Sequence, residues 1–409
     1  MTVTPPPQRI LVIGGGPAGT FAATAARKQN PASVVTLLTD ERCEPYEKPP
    51  LSKAVLLGTK HAADAPIAGP AGLAAHGVHV ESGSEADAID RLSRTVRLRD
   101  GRQLAYDALV IATGATAREI PQLPNGTPGV HYLRTESDAV HLKTALDRSR
   151  RLLVIGAGLI GLEVAASAAT LGLETVVLEM APCILGRVCD SDTSARVLEA
   201  HRQHGVDLRL DTSIVEATVG EEGRSRVVIS SGAVLEADLI VVGTGAQPND
   251  RLAAAAGLDT NDGLVIDDTC RTSDPAIYGA GDVTRFPGPD GLVRLENWRH
   301  AQDHGAIAGR NAAGANERYT TVPSFWSEQY DLYVQGVGWG TSGAQAISRP
   351  MAGNAALVFH IRDGRLVYAM GINAQRDIAA ARRLIERAVA VDSSALADPG
   401  QPLAAMLKR

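Results

Sequence analysis

Glycine recurs twice in this chain at one spacing, as Gly14-x-Gly16-x-x-Gly19 and as Gly156-x-Gly158-x-x-Gly161. Glycines so placed suit the binding of a pyrophosphate. The first allows a tight turn, the second lets the backbone approach the ligand, and the third lets a helix pack closely on a strand. The helix that starts there offers N–H groups and a positive dipole end to the phosphates. An acid follows each motif at the end of a second apolar run. Val34 to Leu38 leads to Asp40 and Glu41, and Thr175 to Leu178 leads to Glu179. A carboxylate at that place accepts hydrogen bonds from ribose hydroxyls. Two such sets in one polypeptide point to two dinucleotides, one a redox cofactor that stays bound and the other a substrate that comes and goes.

The elements that position these glycines are legible as well. Ile10 to Ile13 and Leu152 to Ile155 are apolar strands running into the two turns. A second repeat follows, Asp107-Ala-Leu-Val-Ile-Ala-Thr-Gly-Ala115 and Asp238-Leu-Ile-Val-Val-Gly-Thr-Gly-Ala246. Ala276 to Val283 is one more strand entering a Gly-rich turn with an acid, and no nucleotide unit of its own follows it. It is expected to complete the first sheet, with the second unit inserted in the first. The expected layout is residues 1–115 and 250–322 for the first nucleotide domain, 116–249 for the second and 323–409 for a C-terminal domain. Pro121, Pro124 and Pro128, with Gly126 and Gly129, mark one crossing. In the C-terminal part, Leu332 to Val337, Ala355 to Ile361 and Leu366 to Gly371 read as strands, with Asp363-Gly364 as a hairpin turn. Asp377 to Val391 reads as an amphipathic helix. The tail after Asp392 is expected to be loosely held until Leu403. The fold class is therefore α/β: two Rossmann-like domains plus a small α+β C-terminal domain.

The 409 residues carry a formal net charge of -6, which argues against a general nucleic-acid binder. No apolar run reaches transmembrane length, and Met1-Thr-Val-Thr-Pro-Pro-Pro shows no signal-peptide core. Four cysteines in this length make no disulfide framework. A cytoplasmic protein without a membrane or nucleic-acid partner is expected.

Six segments together resemble the flavoprotein ferredoxin reductases of bacterial three-component oxygenases. They are Gly14-Gly-Gly-Pro-Ala-Gly19, Pro45-Tyr-Glu-Lys-Pro-Pro-Leu-Ser-Lys53, Ala112-Thr-Gly114, Gly156-Ala-Gly-Leu-Ile-Gly-Leu-Glu163, Gly279-Ala-Gly-Asp-Val283 and Phe325-Trp-Ser-Glu-Gln-Tyr-Asp331. The second and the last are the most specific. The resemblance covers essentially the whole chain and implies a glutathione-reductase-type fold, with FAD bound and NADH as substrate. It implies that Gly14, Gly16, Pro17, Ala18, Gly19, Asp40, Lys53, Ala86, Arg134, Asp282 and Trp298 hold FAD. Gly156, Gly158, Ile160, Gly161, Glu179, Arg187 and Gly245 are the matching NAD set. Lys53 and Glu163 are implied as an ion pair close to the flavin and the incoming nicotinamide, and Trp326 as a residue near the flavin ring. All three are expected as catalytic residues.

The function so implied is an FAD-dependent NADH:ferredoxin oxidoreductase. Its FAD takes hydride from NADH and passes single electrons to a two-iron, two-sulfur ferredoxin. That ferredoxin supplies a haem-thiolate monooxygenase or a Rieske dioxygenase. A rubredoxin reductase, an NADH oxidase or peroxidase of the same fold, and a redox-sensing NADH-binding flavoprotein are the alternatives. Glu179 favours NADH, because a carboxylate repels a 2′-phosphate. Cys43 lacks a second cysteine at short spacing, which speaks against a disulfide reductase. His300 and His304 sit one helical turn apart, and a metal site there is not expected. His201 and His204 are expected to be exposed. Arg376, Arg382, Arg383 and Arg387, with Arg310, are candidates for a basic patch facing an acidic ferredoxin.

Overall fold

Continuous apolar runs build the two central sheets, as strands covered on both faces require. In the computed structural model, residues 8–220, 224–340 and 342–407 are described. Residues 1–7, on which the reading of the chain's start rests, lie outside them. The chain divides into two compact units. One comprises Met1–Lys48, Ala62–Thr116 and Ala246–Thr321, and the other Pro49–His61, Ala117–Gly245 and Val322–Arg409. Placing Pro49–His61 with the second unit was not anticipated from the sequence.

The first unit holds a five-stranded parallel sheet. Its spatial order is Ile277–Gly279, Ala108–Ile111, Arg9–Ile13, Val34–Thr39, Val78–Ser82. The strand expected to complete this sheet does so, beside Ala108–Ile111. Helix Pro17–Gln29 starts with Pro17 in its first turn and ends in Arg27 and Lys28, which suit its dipole. It packs on helix Trp298–Ala312 through backbone contact. A Cβ on Gly305 would lie 2.1 Å from the Ala18 carbonyl oxygen, and one on Gly309 2.0 Å from that of Ala22.

The second unit holds a matching parallel sheet in the order Asp207–Arg209, Glu174–Leu178, Arg151–Ile155, Leu239–Val242, Val130–His131. It also holds an antiparallel sheet in the order Ser324–Gln329, Leu332–Gly338, Arg365–Ile372, Ala356–Arg362, Gln345–Arg349. Helix Gln375–Glu386 covers this sheet through Ile378, Ala381 and Leu384. The architecture is thus α/β, as expected. No helix among the described residues is long and apolar enough to cross a membrane.

Two local expectations are corrected, and strands Ser324–Gln329 and Gln345–Arg349 are additions to those read from the sequence. The C-terminal helix ends at Glu386 rather than Val391, because Ala388 turns to φ 47° and Ala390 bridges to Arg365. The tail is held, not loose. Asp392 caps helix Ser393–Ala397, and Leu396, Leu403 and Met406 enter the core. The buried Arg349 guanidinium donates to the carbonyls of Ala395, Leu396, Asp398 and Gln401. That satisfies a cation which sequence hydropathy alone marks as exposed.

Candidate functional site

Each glycine motif is locked by the same contacts. In the first unit a Cβ on Gly14 (φ 117°) would lie 2.1 Å from the Ala112 carbonyl oxygen, and one on Gly19 1.8 Å from that of Gly14. In the second unit a Cβ on Gly156 would lie 2.6 Å from the Gly243 oxygen, and one on Gly161 2.1 Å from that of Gly156. The middle glycines are open. No atom lies within 4 Å of a Cβ on Gly16, and one on Gly158 meets only the Gly243 oxygen, at 4.0 Å. Close packing around two glycines with free space above the third, at a helix start, is the cradle a pyrophosphate fits. Both motifs therefore pass that test.

The acids differ between the two units. Gly14 N donates to Leu38 O at 2.8 Å and Gly156 N to Leu178 O at 2.7 Å, so these strand ends correspond. Glu179 stands one residue past Leu178, whereas the same place in the first unit is the buried Thr39, and Asp40 stands one further on. Asp40 is exposed. Glu41 accepts from the Tyr46 hydroxyl at 2.5 Å and from Lys48 at 3.3 Å, so it is already engaged. Glu179 is fixed by two backbone amides. Its Oε2 accepts from Ala157 N at 2.8 Å, within the glycine motif, and its Oε1 from Ala181 N at 2.9 Å. The Arg187 guanidinium lies 3.6 Å from where a Cβ on Gly245 would stand. The structure thus brings Gly156, Gly158, Gly161 and Glu179 together, and Arg187 with Gly245. Ile160, on the first turn of helix Leu159–Thr170, is 42% exposed.

Of the residues the resemblance assigned to FAD, Pro17 and Ala18 open the first helix and Ala86 starts strand Ala86–Asp90. Asp282 lies in the short helical turn Gly281–Val283. Trp298 opens helix Trp298–Ala312 behind the Asn297 cap, with its ring edge-on to Phe21 at 6.0 Å. Lys53 and Arg134 fall in the second unit. Arg134 donates its backbone N–H to Asp138 at 3.0 Å.

Lys53 and Glu163 meet. Lys53 Nζ lies 2.9 Å from Glu163 Oε2, with side chains 18% and 7% exposed. Glu163 Oε2 also accepts from the Ser52 hydroxyl, and Oε1 from the Ser327 hydroxyl at 2.6 Å. Three donors on one buried carboxylate satisfy a charge that would be costly alone. Ser52 sits in the short helix Pro49–Ser52 and is buried. Trp326 lies on strand Ser324–Gln329, half-buried, on the face opposite Ser327.

The expectation that His201 is exposed is wrong. Its side chain is fully buried, and its Nε2 lies 2.8 Å from Gln329 Oε1. Burial pushes this imidazole down to about 4. His204 stacks on Tyr330. His300 and His304 are buried against Phe286 and Tyr319, and His304 Nδ1 accepts from Gly281 N at 3.3 Å. His304 therefore supports the turn that carries Asp282, while His300 Nδ1 lies 2.8 Å from the Tyr319 hydroxyl. No cluster among the described residues is arranged to hold a metal. Ser52, Ser327 and Gln329 were missed as site residues. Ser327 and Gln329 are polar residues two apart that share one face of strand Ser324–Gln329, a signal lost because that segment was not read as a strand.

The chain matches the pyridine nucleotide-disulphide oxidoreductase family over residues 8–305 and the reductase C-terminal family over 324–407. It is 37% identical over 393 residues to the anthranilate 1,2-dioxygenase system ferredoxin–NAD(+) reductase component of Burkholderia cepacia, covering 95% of this chain and 97% of that one. It is 36% identical to rhodocoxin reductase of Rhodococcus erythropolis, covering 92% and 89%. The solved covalent putidaredoxin reductase–putidaredoxin complex matches with a TM-score of 0.91 at 32% identity, over 98% of each chain.

Proposed function

The chain belongs to the pyridine nucleotide-disulphide oxidoreductase family, and we propose that it is the NADH-dependent ferredoxin reductase of a bacterial oxygenase system. The observation that carries this reading is the pair of glycine cradles with the same locking contacts in one polypeptide. Full-length likeness to ferredoxin–NAD(+) reductase components supports it. The first cradle, with Asp40, Ala86, Asp282 and Trp298, holds FAD, and the second, with Glu179, Arg187 and Gly245, holds NADH. When bound, a flavin converts the two-electron hydride of a nicotinamide into single electrons that an iron–sulfur protein can accept. The chain's own residues bind and orient. Glu179 receives the ribose hydroxyls on a carboxylate already fixed by two amides. Lys53 and Glu163 present a neutralised, hydrogen-bonded pair to the nicotinamide, and Trp326 serves the electron exit. The partner is a two-iron ferredoxin that serves a haem-thiolate or Rieske oxygenase, and the location is the cytoplasm. The domain bounds at about residues 116, 249 and 322 are part of the same reading.

Two arginines of the docking patch are already paired within the chain. Arg310 is paired with Glu317 at 2.7 Å and Arg382 with Glu386 at 2.8 Å. Arg376, Arg383 and Arg387 are exposed. Arg376 and Arg383, seven apart, share one stripe of the helix, and Arg387 follows as its C-terminal cap. The test is NADH-driven bleaching of an added two-iron ferredoxin, compared with ferricyanide reduction as a check on the flavin site. Fast ferredoxin reduction is expected. Arg383→Glu with Arg387→Glu is expected to slow it about tenfold at low salt, and less at high salt, as screening takes over. No ferredoxin reduction by the wild type sinks the function. An unchanged rate in the double variant moves the docking surface elsewhere.

Glu179→Ala with Met180→Arg is expected to lower efficiency with NADH about tenfold, mainly through KM, and to raise it with NADPH. Met180 is 73% exposed beside Glu179, so the new arginine has room to reach a 2′-phosphate. A wild type that already prefers NADPH removes the role given to Glu179.

A further inference from the structure

The three donors on Glu163 are the inner end of a longer chain of hydrogen bonds. Behind Ser327, the Gln329 amide nitrogen donates to the Ser327 oxygen at 3.0 Å. Gln329 Oε1 lies 2.8 Å from His201 Nε2, and His201 Nδ1 lies 3.3 Å from the Tyr330 hydroxyl. Chemistry fixes the direction of every bond. A carboxylate only accepts, so the Ser327 proton goes to Glu163, and the Ser327 lone pair must take the amide N–H. Gln329 then turns its oxygen to His201, whose Nε2 must carry the proton. Nδ1 is left to accept from Tyr330. Burial keeps this imidazole neutral, with the one donor and one acceptor that the chain requires. All four donors therefore point toward Glu163.

The outer end is held against its own preference. Tyr330 takes φ 56°, a left-handed conformation that costs a non-glycine residue free energy. Its ring stacks on His204 at 3.7 Å and meets His201 edge-on at 5.1 Å. Gln329 pairs with Leu332 across the turn, so this strained residue sits immediately after Gln329. Strain of this kind persists where the surroundings over-determine the conformation.

We propose that Ser327, Gln329 and His201 are positioning residues that fix the carboxylate of Glu163 in the nicotinamide site. This rests on the reading of Glu163 as a residue that faces the nicotinamide. The chain holds Oε1 on Ser327, which leaves Oε2 turned to Lys53. Without it the Ser327 hydroxyl is free to rotate, and the carboxylate turns with it. A misplaced partner slows hydride transfer more than it weakens binding.

The test uses the flavin-loaded full chain, NADH and ferricyanide. Gln329→Met removes the amide at similar volume, and His201→Leu removes the ring donor. Both are expected to lower kcat about tenfold with KM for NADH within about twofold. The primary deuterium isotope effect from NADH labelled at the transferred position should rise, because the hydride step becomes more limiting. His201→Gln keeps a donor for Gln329 and is expected to recover most of the loss. Wild-type kcat and isotope effect in Gln329→Met and His201→Leu overturn the proposal. So does a loss confined to flavin content or melting temperature. Glu163→Gln separates the two levels. If it leaves NADH kinetics unchanged, the role of Glu163 fails, and the chain's role with it. If it is slow while the other two variants are not, only the chain's role fails.

Discussion

Gly158→Val yields a yellow protein that no longer binds NADH, and Gly16→Val yields a folded protein that no longer holds flavin. This crossed result is expected because the two middle glycines are the open ones. A side chain on Gly158 or Gly16 meets little of the protein itself, so the fold tolerates it. It occupies the space through which a pyrophosphate approaches the backbone. For Gly158→Val the loss in NADH affinity should reach about 100-fold, or about 3 kcal/mol. The flavin-to-protein ratio and an NADH titration read the two effects separately. Gly14 and Gly19 give a different outcome when substituted, because their added Cβ atoms collide with backbone oxygens. If Gly158→Val keeps NADH-driven ferricyanide reduction, the nicotinamide nucleotide binds elsewhere.

Glu163→Leu is expected to lower kcat/KM for NADH about 100-fold, and Lys53→Met to do nearly the same. Stability should not follow activity. Each single change leaves a largely buried charge without its partner, at a cost of about 3 kcal/mol or more. The double variant removes both charges and is expected to melt closer to the wild type than either single variant. Its activity should stay as low as that of the worse single variant, because the two residues act as a unit. Thermal melts of the four proteins beside NADH kinetics check this. Activity that returns together with stability in the double variant shows that the pair is structural only.

The sequence carried the glycine motifs and the inner strands of both parallel sheets because their signals are local, whereas the edge strands Val78–Ser82, Asp207–Arg209 and Val130–His131 were not read. A strand such as Ile10 to Ile13 followed by three spaced glycines needs no tertiary information to be read. The Lys53–Glu163 pair was reached only through resemblance, since 110 residues separate its members. His201 was misread for a physical reason. Histidine in a helix whose average hydropathy is polar looks exposed, and only the opposing Gln329 and Tyr330 make a buried place for it. Arg349 poses the same difficulty, since nothing beside it in the sequence marks it as buried. A buried arginine becomes tolerable only when four carbonyls from a distant tail converge on it, and neither the tail nor its path had a periodic pattern. The offset between Asp40 and Glu179 was also invisible, because only the strand register fixes which residues correspond.

That offset bears on ancestry. The two nucleotide units share strand, turn and packing details down to the same carbonyl contacts, as two copies of one ancestral gene segment would. Yet the place after the matched leucines Leu38 and Leu178 is threonine in one copy and glutamate in the other. A one-residue shift along a strand changes the side that a position addresses. Exchanging this stretch between the two units would therefore keep the glycine scaffold and change the residue that follows it.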